Sequence, residues 1–193
     1  IERRQLMKKI KIAAVVGSLR KASLNRQLAE AAAALCGDEL VFEILDYQDL
    51  PFMNEDIEFP APAAVQRLRA QLQEADGIWF FSPEYNHGIS GVLNNFLDWM
   101  SRPDEAQKRV LNGKAAAVSG ITPGMSGTLI AQDQLVTLLS FLNMRVMNVP
   151  RLTIPNALEQ VTDGKLVLKE SEPFLAEQCR AFINFIENNE SFK

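Results

Sequence analysis

The sequence predicts a doubly wound α/β domain, a parallel sheet with helices on both faces. Three observations carry that prediction. Short apolar runs alternate with longer stretches whose apolar residues recur at helical spacing. The runs Ile10–Val16 and Gly77–Phe81 are almost wholly apolar, as strands buried on both sides must be. Loops bearing glycine, proline and serine follow the first, third and fourth runs.

Each element has its own signal. Ile10–Val16 is the first strand, rich in β-branched residues. Leu24, Leu28, Ala31, Ala32 and Leu35 then recur at helical spacing, and Gly37 ends the helix. Leu40–Leu45 is the second strand, followed by a polar loop holding Pro51, Pro60 and Pro62. Val65, Leu68, Leu72 and Ala75 mark the second helix, and Gly77–Phe81 the third strand. Val92, Leu93, Phe96, Leu97 and Met100 stripe the third helix, which stops before Pro103. Lys114–Ser119 is the fourth strand. Leu135, Leu138, Leu139 and Leu142 line the fourth helix. Arg145–Val149 is a fifth strand halted by Pro150. Thr153–Ser171 is irregular, with a turn at Asp163–Gly164. Leu175, Cys179, Phe182, Ile183 and Ile186 line the closing helix.

Length and charge narrow the function. The chain has 193 residues and 47% hydrophobic content, which fits one globular domain. Residues 8–190 are expected to form it. Residues 1–7 read as a disordered or expression-derived extension, with Met7 as a natural start. A formal charge of −4 and an isoelectric point near 5.2 argue against gripping nucleic acid by charge. No apolar run is long enough to span a membrane, and no signal peptide is evident. Cys36 and Cys179 lie far apart, in neither a disulfide framework nor a zinc spacing, so both read as small apolar helix residues in a reducing, cytoplasmic setting.

Doubly wound sheets bind ligands beyond the carboxyl ends of their strands. The first such loop, Gly17–Arg26, is neither a dinucleotide fingerprint nor a P-loop, since no second glycine follows before Gly37. It offers Ser18, Arg20, Ser23, Asn25 and Arg26 at a helix N-terminus, where unpaired N–H groups and the dipole favour an anion. That mixture suits a phosphate monoester, beside the plainer role of Ser23 as helix cap. No acidic pocket of the phospho-acceptor type is present, because the first and third strands end in Val16–Gly17 and Ser82–Pro83. After the third strand, Tyr85 and Asn86 offer a flat apolar edge and amide donors. His87 is the only histidine, and no G-x-S-x-G elbow exists, so a serine hydrolase and a zinc site are both disfavoured, and His87 reads as a loop residue near the ligand or a solvated one. Ser119–Gly127 carries three glycines and a proline, and exposes backbone N–H groups.

Together, Gly17-Ser18-Leu19-Arg20 with Ser23 and Asn25, then Pro83-Glu84-Tyr85-Asn86 and Gly91–Trp99, resemble the NADPH-dependent FMN reductase family. The resemblance runs from about Lys9 to the closing helix. It implies a flavodoxin-like three-layer α/β/α sandwich with a five-stranded parallel sheet in the order 2-1-3-4-5. It implies bound FMN, with NADPH or NADH as co-substrate and a small electron acceptor such as a quinone, azo compound, chromate or free flavin. It also implies a homodimer or homotetramer, with no nucleic-acid or membrane partner. Ser18, Arg20, Ser23 and Asn25 would hold the FMN phosphate, with Arg26 close by. Pro83, Glu84, Tyr85 and Asn86 would border the ring, largely through backbone groups, and Ser119 and Gly120 would approach it. No catalytic side chain and no metal are expected, because the hydride chemistry belongs to the flavin. Lys21 and Arg102 are candidates for a dinucleotide 2′-phosphate, and Trp99 reads as packing. Ser90 and Asn94 depart from the family pattern, where proline and lysine are common, as does Thr128, where a small residue is common. The rival reading is a flavodoxin-type electron carrier without direct NAD(P)H turnover.

Overall fold

The computed structural model describes residues 9–37 and 40–188, so the expectation for residues 1–7 lies outside it. Strand β1 (Lys11–Val16) leads to helix α1 (Leu24–Cys36), then β2 (Val41–Ile44), α2 (Ala63–Glu74) and β3 (Gly77–Phe81). Helix α3 (Gly91–Ser101), β4 (Ala115–Ile121) and α4 (Leu129–Phe141) follow. The short strands β5 (Arg145–Val146), β6 (Leu152–Ile154), β7 (Val161–Thr162) and β8 (Lys165–Leu166) precede α5 (Glu172–Glu187).

The main sheet is parallel and runs β2-β1-β3-β4-β5, as the resemblance implies. Order reverses between β1 and β3, so the loops after those strands flank a crevice at the carboxyl edge. Side-chain alternation along each strand divides the interior in two. Ala13, Val15, Ile78, Phe80, Ala116 and Val118 face α2, α3 and α4. Ile12, Ala14, Trp79, Phe81 and Ala117 face α1 and α5. Trp79 stacks on Phe81 at 5.3 Å between ring centres and meets the edge of Phe182 at 5.4 Å. Trp99 is fully buried and donates its indole N–H to Pro51 O at 2.8 Å, which holds the β2–α2 loop against α3.

The fifth strand position differs from expectation. Instead of one run over Arg145–Val149, β5 pairs with Ala115 and Ala116, the chain breaks at Pro150, and β6 pairs with Ser119–Ile121. Proline has no N–H to give a ladder, so the pairing cannot run through it. The break leaves the Val118 carbonyl without a strand partner, and Gln178 of α5 donates its amide to it at 2.9 Å. The fourth strand also runs two residues beyond Ser119, because β6 is there to pair with it. The turn expected at Asp163–Gly164 is present and joins β7 to β8, with φ of 51° and 74° at its two residues. Among the described residues no helix is long and apolar enough to cross a membrane.

Candidate functional site

Gly17 starts the first loop. Its N–H donates to Phe81 O at 2.9 Å, and a Cβ there would lie 2.8 Å from Pro83 Cδ. Only glycine lets the β1 and β3 exits come this close. Ser90 fastens them. Its hydroxyl donates to Gly17 O at 2.7 Å while accepting the Leu93 N–H at 3.3 Å as the cap of α3. A proline at this position could make neither bond, so the departure at Ser90 has a local use.

Ser23 caps α1, accepting the Arg26 N–H at 3.2 Å. Among the described residues, the N–H groups of Ser18, Leu24 and Asn25 meet no acceptor. Arg20 and Lys21 are exposed, and among the described residues no acid is paired with Arg20. Arg26 meets Glu30 at 3.3 Å. Ser18, Arg20, Lys21 and Arg26 line one side of a cleft of about 310 Å³, and Asp46 and Gln48 line the other. Backbone donors at a helix start, a hydroxyl and several cations are the groups that anion binding draws on. The β2 exit was missing from the sequence reading. Its only signal is the turn that Asp46 makes, accepting the Gln48 N–H at 3.1 Å.

Asn25 faces the other way. Its Nδ2 donates to Ile121 O at 3.0 Å, and its Oδ1 accepts the Ile121 N–H at 3.1 Å. The residue is buried, and its amide joins α1 to the end of β4. Arg102 is also elsewhere. It follows the last residue of α3, far from the crevice, and makes a bidentate pair with Glu58 at 2.9 and 2.8 Å. That arrangement removes it as a dinucleotide contact.

The loop after β3 is a tight reversal. Tyr85 and Gly88 exchange N–H···O bonds of 3.0 Å, and Asn86 and His87 between them have φ of 52° and 58°. Two positive φ values in succession make a type I′ turn, which asparagine tolerates well. Tyr85, Asn86 and His87 are exposed, while Pro83 is buried beneath them. Gln134 of α4 donates to His87 O at 3.0 Å and steadies the turn.

Glu84 has its carboxylate turned away from solvent, with 7% of the side chain exposed. It accepts from Ser126 Oγ at 2.8 Å and from the Ala131 N–H at 3.1 Å, and lies 3.4 Å from His87 Nδ1. Burial pushes its pKa up, but the Ala131 and Ile130 N–H groups, Ser126 and His87 outweigh it and hold the carboxyl below its usual range. Thr128, at the start of α4, makes no side-chain cap.

Ser119 and Gly120 sit within β4 rather than in a loop. The Ser119 hydroxyl accepts from Trp79 Nε1 at 2.8 Å and donates to Gln178 Oε1 at 2.6 Å, on the α5 side of the sheet. At Gly120 a Cβ would lie 2.2 Å from Thr128 Oγ1 and 2.4 Å from Ser82 O. The loop beyond, Thr122–Thr128, leaves Met125 almost wholly exposed beside the crevice. Among the described residues no group of three or more His, Cys, Asp or Glu side chains is placed to hold a metal.

Three comparisons bear on this geometry. The model of the family described as NADPH-dependent FMN reductase matches residues 10–159. A 2-hydroxy-1,4-benzoquinone reductase of Burkholderia sp is 36% identical over 86% of this chain and 90% of its own. A quinone reductase of Pseudomonas putida is 35% identical over 92% of this chain and 95% of its own. The solved structure of FerB, a flavoenzyme NAD(P)H:(acceptor) oxidoreductase from Paracoccus denitrificans, superposes with a TM-score of 0.83 at 34% identity, covering 93% of this chain and 98% of that one. The residues matched include the exits of β1, β2, β3 and β4, and the chain belongs to the NADPH-dependent FMN reductase family.

Proposed function

We propose that this chain binds FMN and transfers electrons from NADPH or NADH to quinones, with azo compounds, chromate and free flavin as further acceptors. One observation carries the reading. The N–H groups and cations at the start of α1 stand beside the exposed Tyr85–Gly88 turn, because β1 and β3 are paired and Ser90 ties their exits together. This neighbourhood supports a phosphate-binding end and a ring-binding end at adjacent strand exits, and the donor set fits FMN. When bound, FMN supplies a ring that takes hydride from a nicotinamide and releases electrons to an acceptor.

The residues of the chain bind, orient and shield. Ser18, Arg20, Ser23 and the free N–H groups of Leu24 and Asn25 hold the phosphate, and Arg26 adds charge from the first turn. Backbone groups of Pro83, Glu84, Tyr85 and Asn86 border the ring. The rigid turn fixes those groups in advance, so little ordering is needed on binding. Ser119 and Gly120 act one layer behind. Gly120 lets the loops after β3 and β4 close together, and the Asn25 amide locks α1 to the same strand end. Dinucleotide and acceptor occupy the one open face in turn, so neither has to pass the other. Exposed Met125, Leu129 and Ile130 beside the crevice favour a homodimer or homotetramer, and a cytoplasmic location completes the reading.

The test is the visible spectrum of the purified protein, before and after anaerobic NADPH. Flavin bands at roughly 370 and 450 nm that bleach with NADPH support the reading. Bands that stay oxidised point to an electron carrier, and protein that remains colourless after incubation with FMN overturns the cofactor. Parallel initial-velocity lines for dinucleotide and quinone are expected, and intersecting lines would exclude the alternating scheme.

A further inference from the structure

Cys36 and Cys179 are the two cysteines of the chain, about 140 residues apart in sequence. The fold brings them together. Cys36 is the last residue of α1 and is half-buried, while Cys179 lies inside α5 and is 2% exposed. Cys179 Sγ lies 3.7 Å from Ala32 O, the carbonyl one helical turn before Cys36. Ala32 and Cys36 are four residues apart on one face of α1, so the Cys36 thiol lies on the face that Cys179 packs against. Both are helix residues as the sequence reading has them, and sequence separation concealed that they are neighbours.

We propose that Cys36 and Cys179 form a reversible disulfide that staples α1 to α5 when the protein meets a peroxide. The asymmetry of the pair sets the order of events. The neighbouring Cys179 thiol holds Cys36 below its usual range, while the Cys36 sulfur and burial push Cys179 far up. Cys36 therefore ionises first, and it is the thiol that solvent reaches. Its sulfur attacks the peroxide, the O–O bond breaks, and a sulfenic acid and water result. The Cys179 sulfur then attacks the Cys36 sulfur, the S–S bond forms, the S–O bond breaks, and a second water leaves. Two thiols are oxidised and one peroxide is reduced, and a dithiol reverses the reaction. Carbonyls at the C-terminal end of α1 oppose a thiolate there, so the reaction runs at the pace of an ordinary thiol and not of a dedicated peroxidase.

The staple lies at the opposite end of α1 from Ser18 and Ser23. The helix is 13 residues long, which separates the two ends by roughly 20 Å. The disulfide thus locks the helix without touching the proposed phosphate site. It closes a loop of most of the chain, which raises the unfolding midpoint by several degrees.

The experiment treats the purified full-length chain with hydrogen peroxide and measures intact mass and free thiols after denaturation. The expected result is a loss of about 2 Da, with both thiols gone and both restored by dithiothreitol. A proteolytic peptide pair linking Cys36 to Cys179 is expected with it. The Cys36→Ser variant, altered at a half-buried helix end, should keep the Cys179 thiol free under the same treatment. Three results would overturn the proposal: both thiols still titrating, oxygen added to Cys36 without a cross-link, or a disulfide between two chains. The wild-type measurement alone decides, so the proposal does not depend on whether a Cys179→Ser variant folds. It also stands apart from the flavin reading, because thiols and mass are scored without FMN.

Discussion

Glu84 caps a helix it does not belong to: its Oε2 accepts the Ala131 N–H at 3.1 Å across the crevice. The carboxylate stands in for the cap that Thr128 does not provide. It ties the loop after β3 to the start of α4, and it puts a negative charge where the helix dipole favours one.

Replacing Glu84 with glutamine is expected to lower stability by about 1–2 kcal/mol at neutral pH, measured by urea unfolding. The pH dependence follows from the sign of the shift. The folded carboxyl is more acidic than the unfolded one. The charge therefore stabilises above the unfolded value and is lost as pH falls through the folded one. The gap between wild type and the glutamine variant should be full at pH 7 and close at acid pH. A gap that widens on acidification would contradict the assignment.

Arg20 and Asn25 should separate cleanly. Arg20→Ala removes an exposed cation with no ion pair among the described residues, so apoprotein stability should hold while FMN affinity falls about 10- to 100-fold. Asn25→Ala leaves both backbone groups of Ile121 without their partner, and about 2 kcal/mol of apoprotein stability should go with it. Titration with FMN and chemical unfolding of the apoprotein distinguish the two. An Arg20 variant with unchanged FMN affinity would remove that residue from the site.

Gly120→Ala is expected to destabilise by about 3 kcal/mol, because the added methyl meets the Ser82 carbonyl as well as a movable threonine. A Gly120→Ala, Thr128→Ala double variant, which removes the clashing hydroxyl, should recover little, since the clash with the Ser82 carbonyl remains. Full recovery would place the strain on Thr128 alone.

Gln178→Leu breaks a buried relay. Trp79 donates to Ser119, Ser119 to Gln178, and Gln178 to the carbonyls of Val118 and Pro150. Leucine leaves three of these groups unpaired in the interior, and a loss of about 3 kcal/mol or more is expected. The tryptophan emission of Trp79 should shift with it. A variant as stable as wild type would show that the relay contributes nothing net.

Much of the fold was legible because buried strands and helix stripes write their period into the sequence. Gly77–Phe81 and the Val92–Met100 stripe could hardly be read otherwise. The fifth strand was not, because Pro150 ends an apolar run in sequence whether the strand stops there or resumes three-dimensionally at Leu152. At the site, residue types were legible but directions were not. Asn25, Glu84 and Ser119 all have polar side chains next to the crevice, yet hydrogen-bond partners 40 to 100 residues away turn them into the body of the protein. Such partners leave no local pattern. Ser18 accepts only the local Arg20 N–H, at 3.4 Å, and the Arg20 side chain is exposed, so neither is turned into the body of the protein.

The break at Pro150 bears on how one of the two sheet edges resists adding a strand from another chain. A sheet's outermost strand is a template for another chain, and long flat edges seed fibrils. Here that edge is divided into segments of two and three residues. An incoming strand would find too few consecutive rungs to hold its register before the edge changes direction.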